Sequence, residues 1–448
     1  MDIIKISPHV VFRCYTDITV LYNVIYKNYA IINSLGSNIF NYLSTSGGAD
    51  LCTVARHIAQ EYHADYTEVY NDVSAFIDSL FRQNMVSIDN NFDEQAISEL
   101  LVPAENDIEG DIIRLLQSIH QIYSATFELT YACNEKCVHC YAVSPDSFSC
   151  QYHLTLEKCK TLIDELRQMN CFHLIFTGGD PFMFEGFIDL LKYARYQCFS
   201  FDIYTNGQVI ANDPVIVGQI ANLYPRTFYV SLYGATARTH DAITQISGSF
   251  EKTIHAIKLL REANISVVLN VMVMKPNYAE VGAIIELAKK LGVEYRIGLS
   301  IIRKNNGDSA PLKYFIDDAA IIEEVIQKSN RDIVSMDVRP SSVQSGLLCG
   351  AGTTSLCISP NGDVYPCVSL KHKFGSVFEE SLHDIWNRPA KKEFVYSLTW
   401  ENTKKCMDCK FQKYCPHCIG ISEAECGDPF ECNYCDKLVA QCLCHLNP

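Results

Sequence analysis

The chain has 448 residues, 48% hydrophobic and 11% aromatic, which implies about three globular domains, each able to bury a core. With 52 acidic against 37 basic residues, the net charge of −15 opposes contact with a phosphate backbone, so nucleic acid is not an expected partner. No run approaches the roughly 18 to 20 apolar residues of a membrane helix, and the opening MDIIKISPHVVFRCY lacks a basic segment followed by an apolar one, so the expectation is a cytoplasmic protein without a membrane partner.

In chain order, residues 1–90 read as a small α+β unit. Strand-like apolar runs at 10–14, 18–26 and 29–33 surround a turn near Lys27-Asn28, and helices follow. Asp65 with Glu68 three positions on is a capping signature for a helix whose stripe is Val69, Val73, Phe76, Ile77, Leu80 and Phe81. The acidic stretch 89–111 reads as a connector. From 126 to 299 short β runs at 126–130, 173–177, 200–205, 228–232, 266–272 and 294–299 alternate with amphipathic segments, clearest at 156–169, 250–263 and 280–291. This is an α/β pattern with a parallel sheet, either doubly wound and open or a partial barrel, and its chemistry belongs at the strand C-terminal ends. A helical stretch at 317–330 leads to a cysteine-rich tail.

Cysteine is the strongest signal. Of the 21, twelve lie between Cys349 and Cys444, and Cys133, Cys137 and Cys140 crowd the loop after the first strand of the alternating region. Cysteines that only fill core space would scatter, and reduced cytosolic thiols gathered this way are metal ligands more often than disulfide partners. A C-x3-C-x2-C loop holds three irons of a cubane and leaves the fourth without a protein ligand. A zinc site short of one ligand and a four-thiolate electron-transfer cluster completed from elsewhere fit the same residues. Farther on, Cys349, Gly362 and Cys367 form C-x12-G-x4-C, while Cys406, Cys409, Cys415 and Cys418 form C-x2-C-x5-C-x2-C. A four-cysteine zinc ribbon competes for this second pattern.

The segment FELTYACNEKCVHCY resembles the radical S-adenosylmethionine (SAM) superfamily, with His139 as the aromatic residue before the third cysteine. The resemblance extends from about 126 to 299. Thr177-Gly178-Gly179-Asp180-Pro181 is similar to the family's glycine-glycine-acid motif, whose backbone binds the SAM amino group, with Asp in place of the commoner Glu. Tyr204-Thr205-Asn206-Gly207 and Ser231-Leu232-Tyr233-Gly234 match the next strand ends, and Asn270 and Val271 resemble adenosine-contacting positions. The implied SAM contacts are therefore Gly178, Gly179, Asp180, Asn206, Ser231, Asn270 and Val271. Thr244 stands where many relatives carry Arg, and Arg238 is the nearby cation for the SAM carboxylate.

The tail resembles the SPASM extension with two auxiliary 4Fe-4S clusters, although its last spacing is x2 where x3 is usual. That resemblance assigns Cys406, Cys409, Cys415 and Cys432 to a distal cluster, with Cys435 the competing last ligand. Cys349, Cys367 and Cys418 go to a proximal cluster completed by Cys357 or left open for a substrate thiolate. Cys426, Cys442 and Cys444 stay unassigned, and Cys14, Cys52, Cys150, Cys159, Cys171 and Cys198 read as plain thiols.

The implied architecture is a winged-helix-like leader-recognition domain at 1–90, a linker at 91–122, a partial (β/α)6 TIM-like barrel at 123–310, a bridging region at 311–345 and a SPASM domain at 346–448. The whole resembles radical SAM maturases of ribosomally made peptides, of the thioether-forming sactipeptide and ranthipeptide type. Their cofactors are SAM and three 4Fe-4S clusters, and their partners are a precursor peptide and an electron donor such as flavodoxin or ferredoxin. Carbon–carbon crosslinking or another peptide oxidation, a sulfatase-activating dehydrogenase, and a non-enzymatic cluster or zinc protein are the competing functions. Nothing in the sequence singles out a general base.

Overall fold

The computed structural model describes residues 2–15, 18–92, 108–142, 153–329 and 346–446. They form two compact units.

The first comprises Met1–Tyr123 with Arg167–Phe172 and Ala194–Ser200. Its strands are β1 (Ile3–Ile6), β2 (Val10–Cys14), β3 (Ile18–Asn23), β4 (Asn28–Asn33), β5 (Ala49–Asp50) and β6 (Val86–Ile88), in two antiparallel sheets ordered β5-β1-β6 and β2-β3-β4. Lys27 takes the left-handed conformation at the expected turn, φ 56°. Helices follow at Ser34–Ser46, Leu51–Tyr62 and Tyr66–Arg82. Asp65 accepts hydrogen bonds from the Thr67 and Glu68 amides at 2.8 and 3.1 Å, capping the third as its sequence predicts. That helix buries Val73, Ile77 and Leu80 with Leu21, Phe40, Val54 and Ile58. Two elements escape local periodicity. The four-residue β1 finds partners more than forty positions away (Ile3 opposite Asp50, Ile6 opposite Val86), and a helix at Ile108–Ser118 begins inside the stretch read as a connector.

The second unit holds Ser124–Leu166, His173–Tyr193 and Phe201–Pro448. Six strands, β7 (Ser124–Glu128), β8 (His173–Thr177), β9 (Ser200–Thr205), β10 (Thr227–Ser231), β11 (Val267–Met272) and β12 (Glu294–Gly298), are neighbours in sequential order. Each crossover therefore steps the same way. A doubly wound sheet reverses direction at a switch point, so the order selects the barrel-type winding. Strand alternation sorts the side chains: Phe127, Leu174, Phe176, Ile203, Phe228, Val230 and Leu269 are fully buried on one face, while Thr126, Thr177, Tyr204, Tyr229, Ser231, Asn270 and Arg296 alternate with them. The apolar face packs under the connecting helices, and the alternate face is polar.

The sheet does not stop at the barrel. β13 (Ser355–Ile358) pairs in parallel with β7, and β14 (Asp363–Tyr365) and β15 (Gly375–Ser376) extend it antiparallel to nine strands. Barrel and cysteine-rich tail thus share one sheet. The bridging region contributes the helix Ala319–Lys328, and its remainder from 330 to 345 lies outside the described residues, as does Cys150. No helix among the described residues is long and apolar enough to cross a membrane.

Candidate active site

β7 delivers the chain into the loop of Cys133, Cys137 and Cys140, and the end of β8 fixes that loop by close backbone approach. The Gly179 amide donates to Thr130 O at 2.6 Å and the Asp180 amide to Ala132 O at 3.0 Å. A Cβ on Gly178 would stand 2.3 Å from Thr130 O, and one on Gly179 2.2 Å from Ala132 O, so both positions need glycine; Gly178 also has φ 140°. An ammonium offers only donors, so any backbone contact to one must use carbonyl oxygens of the stretch. On the other side, Lys136 N donates to Thr244 O at 2.9 Å and Val138 N to Ile243 O at 3.0 Å, pinning the loop to the helix Ala237–Thr244.

The Asp180 carboxylate is turned inward. It is fully buried and accepts from Thr205 Oγ1 at 2.7 Å, Asn206 N at 2.9 Å and Phe182 N at 3.0 Å, joining the ends of β8 and β9. Burial raises its pKa above the ordinary carboxylate value, against the pull of those donors. Asn206 Nδ2 donates to Asn134 Oδ1 at 2.6 Å and reaches Cys133 Sγ at 3.6 Å. Ser231 and Asn270 are register partners on β10 and β11, side by side on the polar face. Val271 points to the opposite face and is 1% exposed, so of its atoms only the backbone is available on the side of Asn270. Thr244 is buried with its hydroxyl 2.6 Å from Ser249 Oγ, and Arg238 is exposed. Asp241 accepts from Gly248 N, Ser249 Oγ and Phe250 N at 2.6 to 2.9 Å, which ties the helix Ala237–Thr244 to the start of the helix Ser249–Glu262.

Within the loop, burial pushes the Cys133 thiol up to about 12 and also raises Cys137 and Cys140, each thiol being raised further by its neighbours' charge. Burial lowers His139 to about 4, leaving a neutral imidazole edge-on to Tyr233, 4.6 Å between centroids. Glu135 Oε1 is buried without a hydrogen-bond partner and its carboxyl is raised to about 7, chiefly by burial. Three crowded thiols beside a desolvated acid cannot ionise together unless positive charge is supplied. Iron supplies it, so the loop fits a cluster.

In the tail, Gly362 has φ 78° and turns β13 into β14, where a Cβ would strike the Phe378 ring at 2.5 Å. Electrostatic neighbours divide the thiols into two groups. Cys418, raised to about 12 by burial, feels Cys367 and Cys349. Cys415, raised to about 12, feels Cys406 and Cys432, and Cys432 feels Cys409. Cys435 is turned elsewhere, 3.6 Å from Ser300 Oγ, and its thiol is pushed up to about 12 by burial and then by Asp436. No disulfide joins any of the 20 described cysteines, and no three His, Cys, Asp or Glu side chains among the described residues close on a single ion.

One constellation had no sequence signal beyond an acid in an apolar strand. Glu128, fully buried at the end of β7, accepts from Tyr141 Oη at 2.7 Å and Tyr131 Oη at 3.4 Å, with Lys371 Nζ at 3.6 Å. The Cys357 thiol, fully buried on β13, is raised well above its ordinary value by burial and then by this carboxylate. Cys357 thus feels both Glu128 and Cys367.

Comparison with known proteins agrees with this arrangement. The profile of the radical SAM superfamily matches residues 127–288, and that of the SPASM iron-sulfur cluster-binding domain matches 349–410. The mycofactocin maturase MftC of Mycobacterium tuberculosis is 31% identical over 279 residues, 59% of this chain and 70% of that protein. The chain belongs to the radical SAM superfamily. As a radical SAM enzyme with a SPASM extension, it uses SAM with a 4Fe-4S cluster and carries auxiliary iron–sulfur binding in its tail. An AdoMet-dependent heme synthase of Methanosarcina barkeri is 28% identical over 331 residues, 68% of this chain and 93% of that one. Streptococcus suis SuiB, solved bound to its precursor peptide SuiA, shares the fold of this radical SAM chain at TM-score 0.63 and 15% identity, covering 98% of this chain and 100% of that one.

Proposed function

We propose that the chain is a peptide maturase that installs thioether bonds, from a cysteine sulfur to a carbon, in a ribosomally made precursor. In this reading Cys133, Cys137 and Cys140 hold the SAM-binding cluster. Cys406, Cys409, Cys415 and Cys432 hold a distal auxiliary cluster, and Cys349, Cys367 and Cys418, with Cys357 as the fourth candidate, a proximal one. The observation that carries the reading is one unit in which a three-thiol loop at the strand ends is joined, through β7 and β13, to two further thiol groups. When bound, these groups supply a 5′-deoxyadenosyl radical to take hydrogen from carbon and an acceptor for the electron left behind.

The chain's own residues do the positioning. Gly178 and Gly179 let β8 approach the loop, Asn206 orders Cys133, neutral His139 packs on Tyr233, and the polar strand face with Ser231 and Asn270 lines the side where substrate would be held away from water.

A peptide substrate is supported by SuiB, whose crystal contains its precursor and whose fold covers this chain almost entirely, whereas the heme synthase match spans 68% of it. The N-terminal unit supplies a docking mode. β4 is an edge of its sheet and Ile31 on it is 45% exposed, which suits an added leader strand.

Anaerobic reconstitution is expected to give about twelve irons, from three cubanes, and SAM cleavage to 5′-deoxyadenosine. Coexpression with a cysteine-containing precursor peptide is expected to remove two hydrogens per bridge, as read by mass spectrometry. Bridges that persist when the precursor's cysteines are replaced by serine would shift the reading to carbon–carbon crosslinking. Precursor affinity unchanged on deletion of residues 1–90 would remove the leader-docking role.

A further inference from the structure

The polar face of the barrel strands carries a cation that the acids of those strands leave unpaired. Arg296 on β12 is the register partner of Asn270 on β11, which is in turn that of Ser231 on β10. The three side chains share one row of that face, and all are half-buried. From this row the guanidinium turns toward β9. Its Nη1 donates to Tyr204 Oη at 2.9 Å, and it lies over the Tyr229 ring, 5.6 Å from the centroid. Tyr204 and Tyr229 are themselves register partners, one row farther from the strand C-terminal ends, with rings stacked 4.4 Å apart.

The strands β7 to β12 contain three acids, Glu128, Asp202 and Glu294. Asp202, one row below the tyrosines and 3% exposed, accepts from Arg226 at 3.0 and 2.6 Å and pairs with His173 at 3.1 Å. Glu128 is held by Tyr141, Tyr131 and Lys371. Glu294, two positions before Arg296, is exposed. Among the described residues, Arg296 therefore has one hydroxyl, one ring and no carboxylate.

A guanidinium offers five N–H donors in a fixed plane, and the protein uses one. A half-buried charge without a counter-ion is costly, and a carboxylate relieves that cost through two parallel hydrogen bonds to the planar fork. The tyrosines hold the plane, so its remaining edge is set before any ligand arrives. We infer that Arg296 selects an acidic side chain, Asp or Glu, in the modified segment of the precursor by pairing with its carboxylate. The inference rests on the peptide-maturase reading and adds to it the chemistry of the residue recognised. The carboxylate of SAM is the rival ligand. The bond to Tyr204 draws the guanidinium away from the strand ends and the Cys133 loop, which favours a group reaching in from the peptide.

The test uses the full chain, anaerobically reconstituted and saturated with SAM. The probes are two synthetic hexapeptides, acetyl-CAADAA-amide and acetyl-CAANAA-amide, which differ by one charge at nearly constant shape. Equilibrium dialysis with labelled peptide, and separately with labelled SAM, gives both affinities. The wild type is expected to bind the aspartyl peptide roughly ten-fold more tightly than the asparaginyl one. Arg296→Gln is expected to bind the two peptides equally and SAM as the wild type does. Arg296→Lys is expected to keep a preference of about three-fold, because an ammonium retains the charge but not the fork.

A wild type that does not distinguish the peptides, or an Arg296→Gln variant that still does, overturns the inference. So does a loss of SAM affinity in Arg296→Gln with the peptide preference intact, which would make Arg296 a SAM contact. Equal weakening of both peptides in the Gln and Lys variants would reduce Arg296 to a support for Tyr204 and Tyr229 and overturn it as well. The maturase reading fails separately: a coexpressed precursor left unmodified, with the aspartyl preference and its loss in Arg296→Gln both seen, sinks that reading while the carboxylate site stands.

Discussion

The loop of Cys133, Cys137 and Cys140 and the region from Cys349 to Cys435 both gather thiols, but they are held by different means. The loop is fixed by backbone on two sides, through Thr130 and Ala132 against Gly179 and Asp180, and through Lys136 and Val138 against Ile243 and Thr244. None of those bonds involves a thiol. In the tail the elements are short, with helices at Lys404–Met407 and Ile419–Cys426 and a single turn at Gln412–Tyr414, and Cys406 is itself part of the small core with Leu370, Leu398, Trp400 and Ile419. The loop is therefore expected to keep its shape without metal, and the tail to depend on metal for its order.

The largest effect should come from the loop. Cys133→Ala is expected to abolish 5′-deoxyadenosine formation and to lose about four irons while the far-ultraviolet circular dichroism stays that of the wild type. Unfolding of the barrel in that variant would break the comparison. Next, stripping iron with a chelator should lower amide-exchange protection across 404–435 by ~100-fold and leave β8 to β11 within ~3-fold, as read by mass spectrometry. Equal loss in both regions would show the loop to be metal-dependent as well.

How much of this was legible in the sequence follows the range of the interaction. β8 and β9 fall where their apolar runs end, because alternation is local, and Asp65 caps its helix from three residues away. The pairing of β13 with β7 joins residues more than two hundred positions apart, and nothing in either run encodes it. Glu128 is similar: its partners Tyr141 and Lys371 come from separate segments, so only the fold brings them together. Asp180 shows a subtler gap. Its motif was readable, but the shorter acid's engagement with Thr205 and Asn206 depends on β9 arriving beside β8.

Smaller effects sharpen the contrast. Gly179→Ala drives a methyl to 2.2 Å from Ala132 O and is expected to cost about 3 kcal/mol in denaturant unfolding, with SAM affinity reduced in parallel. A tail glycine with open space, Gly427, is also left-handed at φ 75°, so Gly427→Ala should cost only about 1 kcal/mol of local strain. His240 offers a pH handle on the helix that pins the loop. Burial holds its pKa at about 4 against an ordinary 6.5, so its contribution is present above pH 6.5 and is lost as pH falls toward 4. Stability should drop by about 2 kcal/mol from pH 6.5 to about pH 5, and His240→Gln should flatten that slope.

β13 lies against the flank of β7, the strand that feeds the cysteine loop. A fragment ending before residue 346 would expose the ladder of β7 as a bare sheet margin. Such margins recruit other chains, so the truncated barrel should self-associate and precipitate, and the tail acts as the barrel's built-in guard against aggregation.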